Sequence, residues 1–297
     1  MTLIREFEKL ISPDTLVLPY YGNPRQEDGI LNPIITNLDN DEQEEIIALI
    51  GWTENYPMLT VFKQIDKQWY LIFIETFHVH YSSPELNIAN VPSKNKTFYI
   101  RWLYERGSGI FRDSYHFYKL IDNKVYHCLE LVNEAQIFGW GLYLNQQVQS
   151  SFKFNSSTAD KIWVVYDYNF FPGAVYDTDA PWDAHIDISF VKGEQGVSYQ
   201  WDSLTHSYKL HFYSQKDDLT DQKIACFGAF GNDSLFAIAF DYELKETLEK
   251  GTEKQKKLLA KYFELAKTSS TVPSPTGGLE EKGQVGGLKF YGAKKKE

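Results

Sequence analysis

"FKQIDKQWYLIFIET", residues 62–76, decides how this chain is read. Its centre, QIDKQ, is a polar turn of hairpin length. The runs on either side, "MLTVFKQ" and "QWYLIFIET", are short, aromatic and rich in β-branched residues, which is the composition strands favour. Two such runs joined by so short a turn make a β-hairpin. A second stretch, "YKLIDNKVY" from Tyr118, repeats the pattern aromatic-Lys-x-Ile-Asp-x-x-x-Tyr that begins at Phe62.

Outward from these hairpins the same texture continues to about residue 240. "EIIALIG", "TFYIRWLY", "YHFYKL", "KIWVVYDY", "HIDISFVK", "YKLHFY" and "LFAIAF" are apolar or aromatic runs, and "LIDNK", "KGEQG" and "DSLTHS" read as turns between them. No long helical pattern interrupts the series, so a parallel βαβ sheet is not expected. The predicted fold is mostly β, with antiparallel strands in a propeller-like or large sandwich domain.

Helical periodicity occurs at the two ends. Leu3, Ile4, Phe7, Leu10 and Ile11 form one face of a short N-terminal helix over residues 2–11. Residues 241–267 form a C-terminal helical segment, with Leu258, Leu259, Tyr262, Leu265 and Ala266 as an apolar stripe that packs on the host domain. Residues 1–240 are thus one mostly-β domain. Residues 268–297, rich in Ser, Pro and Gly before a basic end, read as a flexible tail.

Composition narrows function. Of 297 residues, 43% are hydrophobic and 16% aromatic, enough for a sizeable core. The formal net charge of −10 argues against nucleic acid as a partner, because a phosphate backbone calls for a basic surface. Cys128 and Cys226 stand far apart in apolar, strand-like runs, without the spacing of a zinc site, and read as buried thiols. No signal peptide and no apolar run long enough for a membrane span is visible; as written the chain reads as cytoplasmic, or as exported if a leader has been removed.

Three stretches carry candidate chemistry. In "TNLDNDEQEEIIALIG", residues 36–51, Asn37, Asp39, Asp41, Gln43 and Glu45 fall at positions 1, 3, 5, 7 and 9 of a loop that runs into a strand. Calcium loops place oxygen ligands at these alternate positions. The stretch resembles the Asp-x-Asp-x-Asp-Gly loops of FG-GAP and VCBS-type β-propeller repeats, over residues 36–51 and extending to 72 with the next hairpin. The resemblance implies a loop that holds calcium ahead of a strand. Two departures stand out: Asn37 replaces Asp at position 1, and Glu42 replaces the Gly at position 6, where a side chain resists positive φ.

In "YDTDAPWDAHIDISF", Asp177, Asp179, Asp183 and His185 cluster closely enough to serve a hydrolase, by binding a metal or activating water. The alternative is a polar loop entering an edge strand. Trp182, in the same loop, suits binding, since an exposed indole stacks on a sugar ring or a partner protein. In "ETFHVHYSSP", His78 and His80 share one side of a strand and read as ordinary strand histidines. The leading functional expectation is a non-catalytic binding module for a protein or carbohydrate partner. The alternatives are a hydrolase centred on 177–187 and an envelope protein with a structural calcium loop at 37–45.

Overall fold

The structure, a computed structural model, describes residues 31–50, 58–76, 85–91, 95–107, 109–138, 144–157, 159–173, 188–211, 218–229, 233–269, 279–285 and 288–293. The predicted N-terminal helix lies outside them. The described residues are mostly β, as expected, in two large antiparallel sheets with four helices.

The first sheet is a meander of β1 (Leu31–Thr36), β2 (Glu45–Ile50), β3 (Met58–Ile65) and β4 (Gln68–Thr76). The second has eight strands, each beside its neighbour in sequence: β5 (Glu85–Ile88), β6 (Thr97–Gly107), β7 (Ile110–Ile121), β8 (Lys124–Ile137), β9 (Leu144–Phe154), β10 (Lys161–Pro172), β11 (Val191–Asp202) and β12 (Ser207–His211). The helices are α1 (Asp218–Cys226), α2 (Asp233–Ala239), α3 (Asp241–Lys250) and α4 (Glu253–Ser269), and a hairpin of β13 (Leu279–Val285) and β14 (Leu288–Ala293) follows.

The two look-alike hairpins share a backbone. Asp66 and Lys67 have φ of 50° and 66°, and Asp122 and Asn123 have 49° and 63°. Two consecutive positive φ angles define the turn whose twist matches that of paired strands. The shared Ile-Asp-x sequence therefore encodes one turn geometry, used twice.

By contacts the chain forms two compact units. The first comprises 1–134, 150–165 and 196–212. Its core takes Ile47, Leu49, Leu59 and Val61 from the first sheet and Phe98, Ile100, Trp102, Tyr118 and Leu120 from the second, so the two sheets face each other across it. The core residues sit at alternate positions and so share one face, although β2, β3 and β7 bury residues on their other face as well; each fully buried aliphatic or aromatic side chain contributes about 1.5–3 kcal/mol. The buried Cys128, on β8, belongs to this unit.

The second unit comprises 135–149, 166–195 and 213–297. Tyr166, Tyr168 and Phe170, alternate residues of β10, pack on Phe227, Phe236 and Phe240 of the helical segment. The Thr247 hydroxyl on α3 donates to the Phe190 carbonyl, and the Gln255 amide on α4 donates to that of Ser189, each at 2.8 Å. Thr252 and Gln255 cap α4 reciprocally, each side chain accepting the other's backbone N–H. Gly251, which ends α3, has no room for a side chain: a Cβ there would lie 2.4 Å from the Thr247 carbonyl oxygen.

Several expectations are corrected. The runs "KIACFGAF" and "LFAIAF" are not strands: they contribute to α1 and α2, so the helical segment begins at Asp218 and Cys226 closes a helix. Short apolar runs carry no periodicity that separates the two states. "KGEQG" is not a turn but the interior of β11, where Gly193 leaves space for the Tyr168 ring. Within the 268–297 tail, Leu279–Val285 and Leu288–Ala293 pair as the antiparallel β13–β14 hairpin. No closed sheet or ring of four-stranded blades is found among the described residues, because the second meander runs on through eight strands without a break.

Candidate functional site

The acidic loop between β1 and β2 lies within the described residues. The carboxylates of Asp39, Asp41 and Glu45 converge, with oxygens within 4.8 Å of one another. The register of β2 and β3 sets Lys63 opposite Glu45, and this sends its ammonium into the cluster. The Lys63 Nζ contacts Asp39 Oδ2, Asp41 Oδ2 at 2.8 Å and Glu45 Oε1 at 3.4 Å, with 5% of its side chain exposed.

The other two predicted ligands behave differently. The Asn37 side chain turns onto its own loop, accepting from Asn40 N–H at 2.5 Å and donating to the Asp41 carbonyl. The Gln43 backbone N–H donates to Asp41 Oδ1 at 2.7 Å. The positive φ of the loop falls on Asn40, at 63°, so Glu42 meets no backbone strain where the resembling loops carry glycine. Asn is one of the few side chains that tolerates this region.

Electrostatically the Lys63 ammonium is the counter-charge of the three carboxylates. Burial works against its charge, but the hydrogen bonds to Asp39 and Asp41 outweigh burial and raise its pKa. The same contact lowers the Asp41 pKa. Glu45 is fully buried, and desolvation raises its pKa although Oε2 accepts the Leu38 N–H at 2.7 Å. A calcium ion needs six to eight oxygens. Three carboxylates already shared with an ammonium, and an asparagine turned away, do not fit one.

The second assembly lies on the face of the eight-stranded sheet turned away from the core of the first unit. Across β6 and β7, Thr97, Tyr99 and Arg101 pair with Lys119, Phe117 and Tyr115. The sheet rolls about this face. Flat, β6 and β12 would stand about 29 Å apart at the usual strand spacing; yet the Thr97 hydroxyl lies 3.0 Å from the Tyr208 hydroxyl on β12. Lys119, 2% exposed, lies 4.2 Å from the centre of the Trp201 ring and 3.6 Å from Asp160 Oδ1. Burial lowers the pKa of this amine, and Asp160 opposes the change.

These contacts close one end of a trough. Its middle is aromatic: Tyr99, Tyr115, Phe117, Phe152 and Phe154 touch one another, with ring centres 4.9 Å apart for Tyr115 and Phe152 and 5.2 Å apart for Tyr99 and Phe117. Phe117 is fully buried; the other four rings are half-buried. The far end is a row of charge. Arg101 Nε donates to Asp113 Oδ2 at 2.7 Å, Asn133 donates to the same oxygen at 2.9 Å, and Glu85 lies 3.6 Å from Arg101 Nη1. The Asp113 Oδ1 is buried and accepts no hydrogen bond among the described residues.

Asp177, Asp179, Trp182, Asp183 and His185 lie outside the described residues, as do His78 and His80. Sequence reasoning gives no site role to Lys63, Arg101, Asp113, Tyr115 or Lys119, although Lys63 and Lys119 are the shared lysine of the two look-alike hairpins. A signal for the trough does exist: Asp113, Tyr115, Phe117 and Lys119 alternate along β7 and so share one face. Among the described residues no helix is long and apolar enough to cross a membrane. No protein-family model, curated protein or solved structure matches the chain.

Proposed function

We propose that the protein is a non-catalytic binding module and that the aromatic trough of the eight-stranded sheet is its contact surface. One observation carries this reading: four half-buried aromatic rings lie together on a single sheet face, beside a charged row with a spare acceptor. Aromatic clusters of this kind supply large contact area at low conformational cost. The two-sheet sandwich is the arrangement we assign to the first unit, and it holds the trough on rigid strands. The test is to screen labelled protein against glycan and peptide libraries beside Tyr99→Ala and Tyr115→Ala. Ligands that both variants lose support the reading; ligands retained by both place the contact surface elsewhere.

The acidic loop favours a second, structural role. We read it as kin to the calcium loops of FG-GAP-type repeats, with the Lys63 ammonium in place of the ion. This reading is supported by the convergence of three carboxylates on Nζ.

A further inference from the structure

We infer that the trough seats a carbohydrate, with a sugar ring stacked on the Tyr115 ring and its hydroxyls bonded to Asp113 and the two phenols. The inference rests on the binding-module reading and names its ligand class.

Three features select this occupant. First, two of the half-buried rings are tyrosines, and the hydroxyls of Tyr99 and Tyr115 bond to nothing among the described residues. Burial raises the pKa of both phenols, and at Tyr115 it does so against the opposing pull of Arg101, so they stay protonated and able to donate at neutral pH. A sugar presents apolar C–H faces and hydroxyl edges together, which matches a ring surface bordered by phenols.

Second, the guanidinium of Arg101, the carboxylate of Asp113 and the amide of Asn133 form a connected polar row beside the rings. Planar groups of this kind recognise adjacent hydroxyls in pairs. The row also contains an unfilled position: Asp113 is 3% exposed and its Oδ1 has no donor. A buried acceptor left without a partner destabilises the state that leaves it so. A hydroxyl delivered by a ligand that slightly opens the row satisfies it.

Third, the surface suits peptides poorly. Strands β6 to β9 are each paired on both sides, so an extended peptide finds no free ladder to join. An aromatic face can take proline-rich segments, but proline brings no N–H for the spare Asp113 acceptor. Glu85 and Asp113 share the one guanidinium of Arg101, which leaves this end net negative and disfavours acidic sugars, so the ligand is neutral.

The experiment probes full-length wild type, Tyr115→Ala, Tyr115→Phe and Asp113→Asn on a neutral-oligosaccharide array and on a random-peptide display library, with the strongest saccharide confirmed by calorimetry. Each variant is first shown to melt cooperatively. The inference expects a bound saccharide, at least tenfold weaker affinity in Tyr115→Ala and Asp113→Asn, and a smaller loss in Tyr115→Phe, which keeps the ring; Tyr115→Phe serves as the test if the other two fail to fold. Peptides captured by wild type and lost in Tyr115→Ala, with no saccharide bound, overturn the carbohydrate and leave the binding surface standing. No ligand of either class, or ligands indifferent to all three changes, overturns both.

Discussion

Glu45 and Lys63 stand directly opposite each other on β2 and β3, both buried, and their side chains meet inside a loop that also delivers Asp39 and Asp41. The pairing converts a strand register into an electrostatic latch. Its acidic members outnumber its one cation, so the latch depends on Lys63 more than on any single carboxylate.

Lys63→Ala therefore leaves buried carboxylates without a counter-charge, and the expected loss is about 3–5 kcal/mol. Replacing both partners, with Glu45→Leu and Lys63→Leu together, restores part of that loss, because an apolar pair carries no desolvation penalty. Urea unfolding of Glu45→Leu, Lys63→Leu and the double variant measures the coupling. Millimolar calcium is expected to leave the wild-type melting midpoint unchanged. A rise would show that the ion competes successfully with the ammonium.

The His116 imidazole predicts a pH dependence. It is 5% exposed, stacks on Trp102 with ring centres 4.1 Å apart, and lies 3.2 Å through Nδ1 from His127 Nε2. Burial first, then His127 and Arg112, holds its pKa well below 6.5. The unfolded chain binds a proton near pH 6.5 and the folded chain does not, so stability is full above that value and declines as the pH falls below it. His116→Phe keeps the stack and removes the titration. Urea midpoints at pH 7.5 and pH 5 are expected to lie closer together in the variant than in wild type.

The turn at Asp66–Lys67 offers a stabilising change. Lys67 is exposed and holds φ at 66°, a region that penalises a side chain. Lys67→Gly is expected to gain about 0.5–1 kcal/mol, as the strain relieved exceeds the entropy cost of glycine. Equal or lower stability in thermal unfolding would mean that the side chain makes a contact that outweighs the strain.

Gly193→Ala tests the opposite case. A Cβ there would lie 2.8 Å from the Tyr168 hydroxyl oxygen. Tyr168 is held by the rings of Phe170, Phe227 and Phe240, so it has little freedom to retreat. The expected cost is about 1–3 kcal/mol, read by denaturant unfolding; at Gly196, where a Cβ meets nothing within 4 Å, the same substitution is expected to cost less.

Much of this architecture is legible in the residues themselves. The turns at Asp66–Lys67 and Asp122–Asn123 announce their hairpins, and the strands through Phe62, Tyr99, Phe117 and Tyr166 declare themselves by aromatic and β-branched content. The helices at Asp218 and Asp233 hide because "KIACFGAF" and "LFAIAF" are too short for periodicity to separate helix from strand. The alternating oxygens from Asn37 to Glu45 are visible in sequence, but the cation they meet comes from a neighbouring strand through register. The trough is hidden for a related reason. Alternation places Asp113, Tyr115, Phe117 and Lys119 together, but only the roll of the sheet, which brings Trp201 and Tyr208 onto Lys119, makes that face an interior.

Each compact unit carries one described cysteine, Cys128 in the first and Cys226 in the second, and burial pushes both thiols up to about 12. A thiol held that high is almost never a nucleophile at neutral pH while its surroundings stay shut. Alkylation therefore serves as a clock for opening: a Cys128→Ser chain reports on the second unit, a Cys226→Ser chain on the first, and their labelling rates under native conditions give each unit its own free energy of exposure without any added dye or tag.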